Sequence, residues 1–494
     1  MALKDKTISG LLWSVSGTGV SQLLTVALTF YLARLLGPEV FGTFAVITLV
    51  ARYANRAIDA GLGIAIIQRK DLDDGLISSI FWLNTAMAFC LAVLVFFTAD
   101  AIAGFMEIPA SARLLRWLPL ILLVNGITIT QRALLRRRMD FRTTGIAEVS
   151  AVVLGGIVAI VAALHFEDER ALFARLLVAT SVMSMIYWVS TRWRPNFQFK
   201  TAGLKETLAF SLPFLGERTL VYWAIRLDRI LIAKRLDENA LGLFDTGFKQ
   251  ISMPLDLIHY QLSQVMFAAF SSIQEETARI EAMYSKVLSA ATLFGIPVMV
   301  LITLGAPELV RWLLGPEWEG MIIILQGLAL AFVLDFGVYV APVLLSRGKS
   351  KLQLKVKIYA LSFRVLAIIG GLYLGGINGL LIGLILASGI RYLIYANFVA
   401  WELEVAFWKH FRLMLPALLI NALALGGAVG ATILFASSWP HFATLIFKGL
   451  VFAGIYLLLM ISLRPRGWMV GRQLAVEYHY KLGPLGPLVK RWLG

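Results

Sequence analysis

Between Arg218 and Tyr260 the chain places ionisable residues inside two apolar segments, RTLVYWAIRLDRILIAKRL and ENALGLFDTGFKQISMPLDLIHY, which meet at a short polar turn. At about 100° per residue, Arg218, Tyr222, Arg226 and Arg229 fall on one stripe of the first segment, flanked by Glu217 and Asp228. On the second, Asp245, Lys249, Ser252, Asp256 and His259 recur at helical spacing. A charged side chain at the bilayer centre costs about 2.5 to 3.5 kcal/mol, so these stripes must face one another or a water-filled cavity. Lipid-facing orientations are excluded for both.

The rest of the chain makes the membrane setting unavoidable. Of 494 residues, 59% are hydrophobic and 15% charged, too apolar a balance for a soluble domain. With about 20 apolar residues per span, helices are predicted near 11–36, 41–66, 78–104, 113–135, 143–165, 170–192, 206–233, 241–272, 285–306, 319–345, 352–374, 378–401, 410–436 and 442–463. The fold class is therefore all-α, a polytopic membrane protein of about 14 transmembrane helices. The first apolar run is too long for a signal peptide and lacks a small-residue cleavage site, so it is expected to be retained.

Charge explains itself within that topology. The net charge of +15 resides mostly in short loops, where the positive-inside rule accounts for it without nucleic acid. About 28 basic residues fall on the side that holds both termini, against about 9 opposite, so both termini are expected in the cytoplasm. The single cysteine, Cys90, excludes an intrachain disulfide and a cysteine-based metal cluster. Neither a cofactor nor a metal is expected.

An internal repeat organises the spans. RLLGPEVFGTF (34–44) returns as KRLDENALGLF (234–244); IIQRKD (66–71) is echoed by SIQEET (272–277), and RALLRRRMDF (132–141) by PVLLSRGKSK (342–351). Three matches in one order give two pseudo-symmetric six-helix lobes around a central cavity, 1–205 and 206–405. A helix pair (406–463) and a cytoplasmic interfacial tail (464–494) follow. In the first lobe the equivalents of the charged hairpin carry Ser14, Thr18, Ser21 and Thr25 on one face, with Gln22 beside them, and Arg52, Arg56 and Asp59 on another.

DAGLGIAIIQRKDLDDGLISSIFWLN (59–84), RALLRRRMDFRTTGIAEV (132–149), RLDRILIAKRLDENALGLFDTGFKQISMPLDLI (226–258) and LGPEWEGMIIILQGLAL (314–330) resemble the bacterial polysaccharide-transporter branch of the multidrug/oligosaccharidyl-lipid/polysaccharide exporter superfamily. The likeness is nearest to the colanic acid exporter type of Wzx-like flippase and covers about residues 5–415. The chain departs from that pattern at Asp237, where a glycine is usual, and around Ala268 and Ala269, where a proline is.

The resemblance implies an inner-membrane flippase that moves undecaprenyl-diphosphate-linked oligosaccharide from the cytoplasmic to the periplasmic leaflet by alternating access. Guanidinium groups suit the diphosphate, which assigns it Arg52, Arg56, Arg218, Arg226, Arg229 and Lys249. The sugars would meet Ser14, Thr18, Ser21, Gln22 and Thr25, and Asp245, Asp256 and Asp59 are the candidates for a coupling H+ or Na+. Salt bridging between helices is the competing role for all of these charges. The basic loop at Arg136, Arg137, Arg138 and Arg142 reads as a topology signal and contact for anionic lipid, with the entering headgroup a sharper possibility. Membrane lipids, a polysaccharide polymerase and glycosyltransferases are the further partners implied.

Two other functions compete. One is a cation-coupled small-molecule antiporter of the same superfamily, for which a compact acidic site would be expected. The other is a membrane-embedded glycan polymerase or ligase, which needs a large external loop where this chain has short ones. Without a Walker sequence or nucleophile elbow, energy is expected from a gradient or from the substrate.

Overall fold

A computed structural model describes residues 3–69, 72–197 and 201–477; the side chains of 3–18, 68, 201–214, 217, 218, 257 and 474–477 fall outside the description. Every regular element among the described residues is helical. The chain divides into two units, Met1–Asp245 and Thr246–Gly494.

In the first unit the run Leu3–Asp59 is two helices, α1 (3–36) and α2 (38–59), joined where Gly37 takes φ 71° and ψ 170°. That left-handed φ is open to glycine, and Pro38 then opens α2 where its missing N–H costs nothing. Then come α3 (Asp74–Phe105), α4 (Ser111–Arg137), α5 (Phe141–Phe166), α6 (Arg170–Thr191), α7 (Thr201–Arg235) and the first turns of α8 (Glu238–Ser271). Asp73 and Asp140 start α3 and α5 by accepting the main-chain N–H of Leu76 and Thr143. The helix predicted near 41–66 ends at Asp59. Ala60 and Gly61, both at positive φ, turn the chain into a separate short helix, Leu62–Gln68.

The second unit holds the remainder of α8, then α9 (Thr277–Leu309), α10 (Gly320–Ser346), α11 (350–374), α12 (377–402), α13 (Trp408–Phe435), α14 (His441–Leu463) and α15 (Arg466–Glu477). Gly375 and Gly376 leave helical geometry and separate α11 from α12. The helix predicted near 319–345 is interrupted: after Val333 the chain runs through a 3₁₀ turn, Leu334–Gly337, and an extended Val338 before it becomes helical again at Val340.

Ten helical runs among the described residues are long and apolar enough to cross a membrane. Two of them, Gly19–Asp59 and Ser350–Glu402, each contain two helices, while α7 and α8 have the length but carry the charged stripes. The chain is an all-α polytopic membrane protein, with fourteen helices of spanning length among the described residues. Large apolar side chains stand exposed along the spans, Phe97 at 78% and Leu374 at 91%, as expected of surfaces that lipid covers.

With lipid as apolar as the core, packing depends on close approach at small residues. Within the first unit the repeat-related Gly42 and Gly242 do this reciprocally. A β-carbon on Gly42 would stand 1.7 Å from the carbonyl oxygen of Glu238, and one on Gly242 would stand 1.9 Å from that of Pro38. Each glycine therefore meets the main chain four residues before the other.

Two arginines at corresponding places in RALLRRRMDF and PVLLSRGKSK make similar contacts. Arg137, at the end of α4, donates from Nη1 to the carbonyls of Ile66 and Arg69, each at 2.6 Å, and so fastens the loop after α2. In the second unit its counterpart in sequence, Arg347, donates from Nη2 to Thr277 Oγ1 at 2.7 Å, at the start of α9. From Nη1 it also reaches both the carbonyl and the carboxylate of Glu402, each at 3.0 Å. Arg137 is thereby a structural clip, a role its loop position alone did not disclose.

Candidate functional site

In the first unit α2 and α7 come together around Tyr222. Its hydroxyl donates to the carbonyl of Leu49 at 2.7 Å, and its ring centroid lies 5.7 Å from that of Tyr53. Trp223, the next residue, lies 5.0 Å from Tyr53. Aromatic packing fixes the register of the two helices, and the arginines of both stripes follow from it. Arg52, Arg56, Arg226 and Arg229 all lie within electrostatic reach of Tyr222, and Arg56 sits over its ring with the guanidinium carbon 4.9 Å from the centroid.

The four arginines are not equivalent. Arg229 is buried between two carboxylates: Nη1 donates to Asp228 Oδ1 and Nε to Asp245 Oδ1, both at 2.8 Å. A buried guanidinium needs such partners, and this pairing joins α7 to the start of α8. Arg52 and Arg56 are exposed and Arg226 is half-buried. Arg226 lies close enough to both Arg52 and Arg229 to feel their charge, yet neither Arg52 nor Arg226 has an ion pair or hydrogen bond among the described residues. Positive charge is thus gathered on two neighbouring apolar helices in excess of the acids that could neutralise it.

The remaining predicted positions spread out. The side chains of Ser14, Thr18 and Arg218 lie outside the described residues. Ser21 is buried, Gln22 is exposed, and the Thr25 hydroxyl is turned back onto the carbonyl of Ser21 at 2.7 Å. Asp59 accepts the N–H of Gly63 at 3.1 Å, which ties the end of α2 to the short helix after it. Lys249, half-buried, and Asp256, exposed, stand on the part of α8 that belongs to the second unit. Asp335 and Arg391, which lie off both stripes, pair with each other in that unit. Tyr53 and Trp223, which position the arginines, went unnoticed because aromatic residues in apolar spans carry no distinguishing signal.

Comparison with known proteins falls in line with this architecture. Over 433 residues the chain is 24% identical to lipopolysaccharide biosynthesis protein WzxC of Escherichia coli (strain K12), covering 85% of this chain and 88% of that one. It is 23% identical over 375 residues to teichuronic acid biosynthesis protein TuaB of Bacillus subtilis (strain 168), covering 75% and 77%. Among solved structures, the lipid II flippase MurJ in an inward closed conformation has the same fold, with a TM-score of 0.69 at 15% identity over 92% of this chain and 99% of that one. Residues 31–323 match the family described as polysaccharide biosynthesis protein, and the chain belongs to that family.

Proposed function

We propose that this protein is a secondary transporter of a bacterial inner membrane that flips oligosaccharide repeat units, carried on undecaprenyl diphosphate, from the cytoplasmic to the periplasmic leaflet for surface or exopolysaccharide synthesis. Family membership, relatives at work in lipopolysaccharide and teichuronic acid synthesis, and a fold shared with a lipid II flippase support this reading. The observation that carries the substrate class is the trio Arg52, Arg56 and Arg226, which no carboxylate among the described residues pairs. Like charges gathered on apolar helices are stabilised by an anion, and a diphosphate matches the donor fork of guanidinium.

Both termini lie in the cytoplasm on this reading, in keeping with the basic loops. For coupling to H+ or Na+ the candidates are Asp59, Asp245 and Asp256, the carboxylates that stand on the charged stripes. A polymerase and glycosyltransferases act on the substrate before and after it crosses.

The test is replacement of Arg52 and Arg226 by alanine in cells that depend on this gene. Each variant should reach the membrane at the normal level, lose surface polysaccharide and accumulate the lipid-linked precursor. Normal export by both variants, or loss of export through loss of the protein, defeats the assignment. Lysine should rescue poorly wherever binding is bidentate.

A further inference from the structure

The interruption in α10 opens a second polar site, wholly inside the second unit. Gly337 permits it: a β-carbon there would stand 2.8 Å from the ring of Tyr392 and 2.7 Å from Met414 Sδ, so the ring lies directly against main chain. Irregular backbone inside a membrane span is tolerated where it lines a cavity, and here it borders one of about 340 Å³. His259 of α8 lines this cavity, stacked on Tyr339 with ring centroids 4.8 Å apart and 25° between planes. Tyr392 of α12, Asp335 and Arg391 complete the wall, and the exposed Asp256 also contributes to it.

Three polar atoms of this wall, His259 Nε2, Tyr339 Oη and Tyr392 Oη, are buried and have no hydrogen-bond partner among the described residues. Three such atoms around one cavity are uncommon, because buried polar groups in proteins are nearly always paired. The chemistry of the wall selects among ligands. Arg391 is held by Asp335 and by Ser388 Oγ at 3.2 Å, so this pair presents little net charge to a free ion. A phosphate would face the carboxylates of Asp256 and Asp335, and a bare cation would face Arg391. Phenol hydroxyls both donate and accept, a neutral imidazole does one at each nitrogen, and the stacked rings offer flat apolar faces. That combination fits a neutral, polyhydroxylated ring, and the volume is at the small end of ligand sites, about 300 to 1,000 Å³.

We propose that this cavity is a saccharide subsite, which takes one sugar of the lipid-linked oligosaccharide through His259, Tyr339 and Tyr392. The inference rests on the flippase reading and adds a glycan-recognising position separate from the arginines of α2 and α7. It predicts that the glycan, and not only the diphosphate, contributes to affinity.

The test uses the full chain in nanodiscs, prepared without sugar-headed detergent. Two probes are compared: undecaprenyl diphosphate, and the undecaprenyl-diphosphate-linked repeat unit extracted from polymerase-deficient host cells. The wild type should bind the glycosylated probe more tightly. Tyr339→Phe and Tyr392→Phe, which remove one hydroxyl each, should weaken that probe about tenfold, the loss of one hydrogen bond, and leave undecaprenyl diphosphate within about twofold. Equal wild-type affinity for the two probes overturns the subsite while the flippase reading stands, as does equal weakening of both probes or of neither. A Na+-dependent loss of binding to both probes that disappears in Tyr339→Phe and Tyr392→Phe would make these hydroxyls ion ligands and equally overturn it. Failure of the wild type to bind either probe removes the flippase reading, and the subsite with it.

Discussion

Arg229 Nε donates to Asp245 Oδ1 at 2.8 Å across the turn between α7 and α8, with both side chains buried. Removing one member of a buried ion pair leaves an uncompensated charge and costs about 3 to 5 kcal/mol. Arg229→Ala should therefore deplete the protein from the membrane and lower its unfolding temperature in detergent, whereas Asp245→Asn, which leaves Asp228 in place, should do so less. An Arg229→Ala protein with wild-type abundance and stability but no export would return Arg229 to the substrate.

The reciprocal approach of Gly42 and Gly242 gives a sharper expectation. Gly42→Ala and Gly242→Ala each press a methyl group into main chain that has no rotamer to change. Overpacking of this kind costs about 1 to 3 kcal/mol. Since either methyl forces the same two helices apart, the double variant should lose clearly less than the sum of the singles. Additive losses of melting temperature would mean the two contacts yield independently.

Orientation can be read chemically. In a background with Cys90 replaced by serine, cysteines at the exposed positions Glu167 and Glu317 should react with an impermeant maleimide added to intact cells. A cysteine at the exposed Arg136 should react only after the cells are opened; Arg137, clipped to Ile66 and Arg69, is unsuitable as a probe. Labelling at position 136 in intact cells would invert the topology.

If Asp256 carries the coupling ion, Asp256→Asn should reduce gradient-driven transport in proteoliposomes to background and leave affinity for undecaprenyl diphosphate, assigned to the arginines of α2 and α7, within about twofold. Wild-type transport by this variant would leave Asp256 as counter-charge.

Much of the scaffold was legible in the sequence because membrane spans are set by apolar length. The charged stripes were visible for the same reason, as violations of that apolar pattern. Partnership was not. A stripe on one helix states which residues share a face, but Arg226 and Arg229 lie three apart on it and differ wholly in role, because Asp245 arrives from the next helix. The break in α10 was equally hidden: one Asp in the otherwise apolar LDFGVY does not reveal it, and the close fit of Tyr392 and Met414 to Gly337 is made by residues far along the chain.

The clips formed by Arg137 and Arg347 bear on the order in which the chain is assembled during synthesis. Ile66 and Arg69, whose carbonyls Arg137 binds, precede it, so these hydrogen bonds can form once α4 has been inserted. Arg347 also has a partner made earlier, Thr277, but its carboxylate partner Glu402 comes at the end of α12 and is still untranslated when Arg347 emerges. The first repeat can thus lock while the ribosome is still at work on the second, and the second must wait for its last helix with a charged residue only half secured.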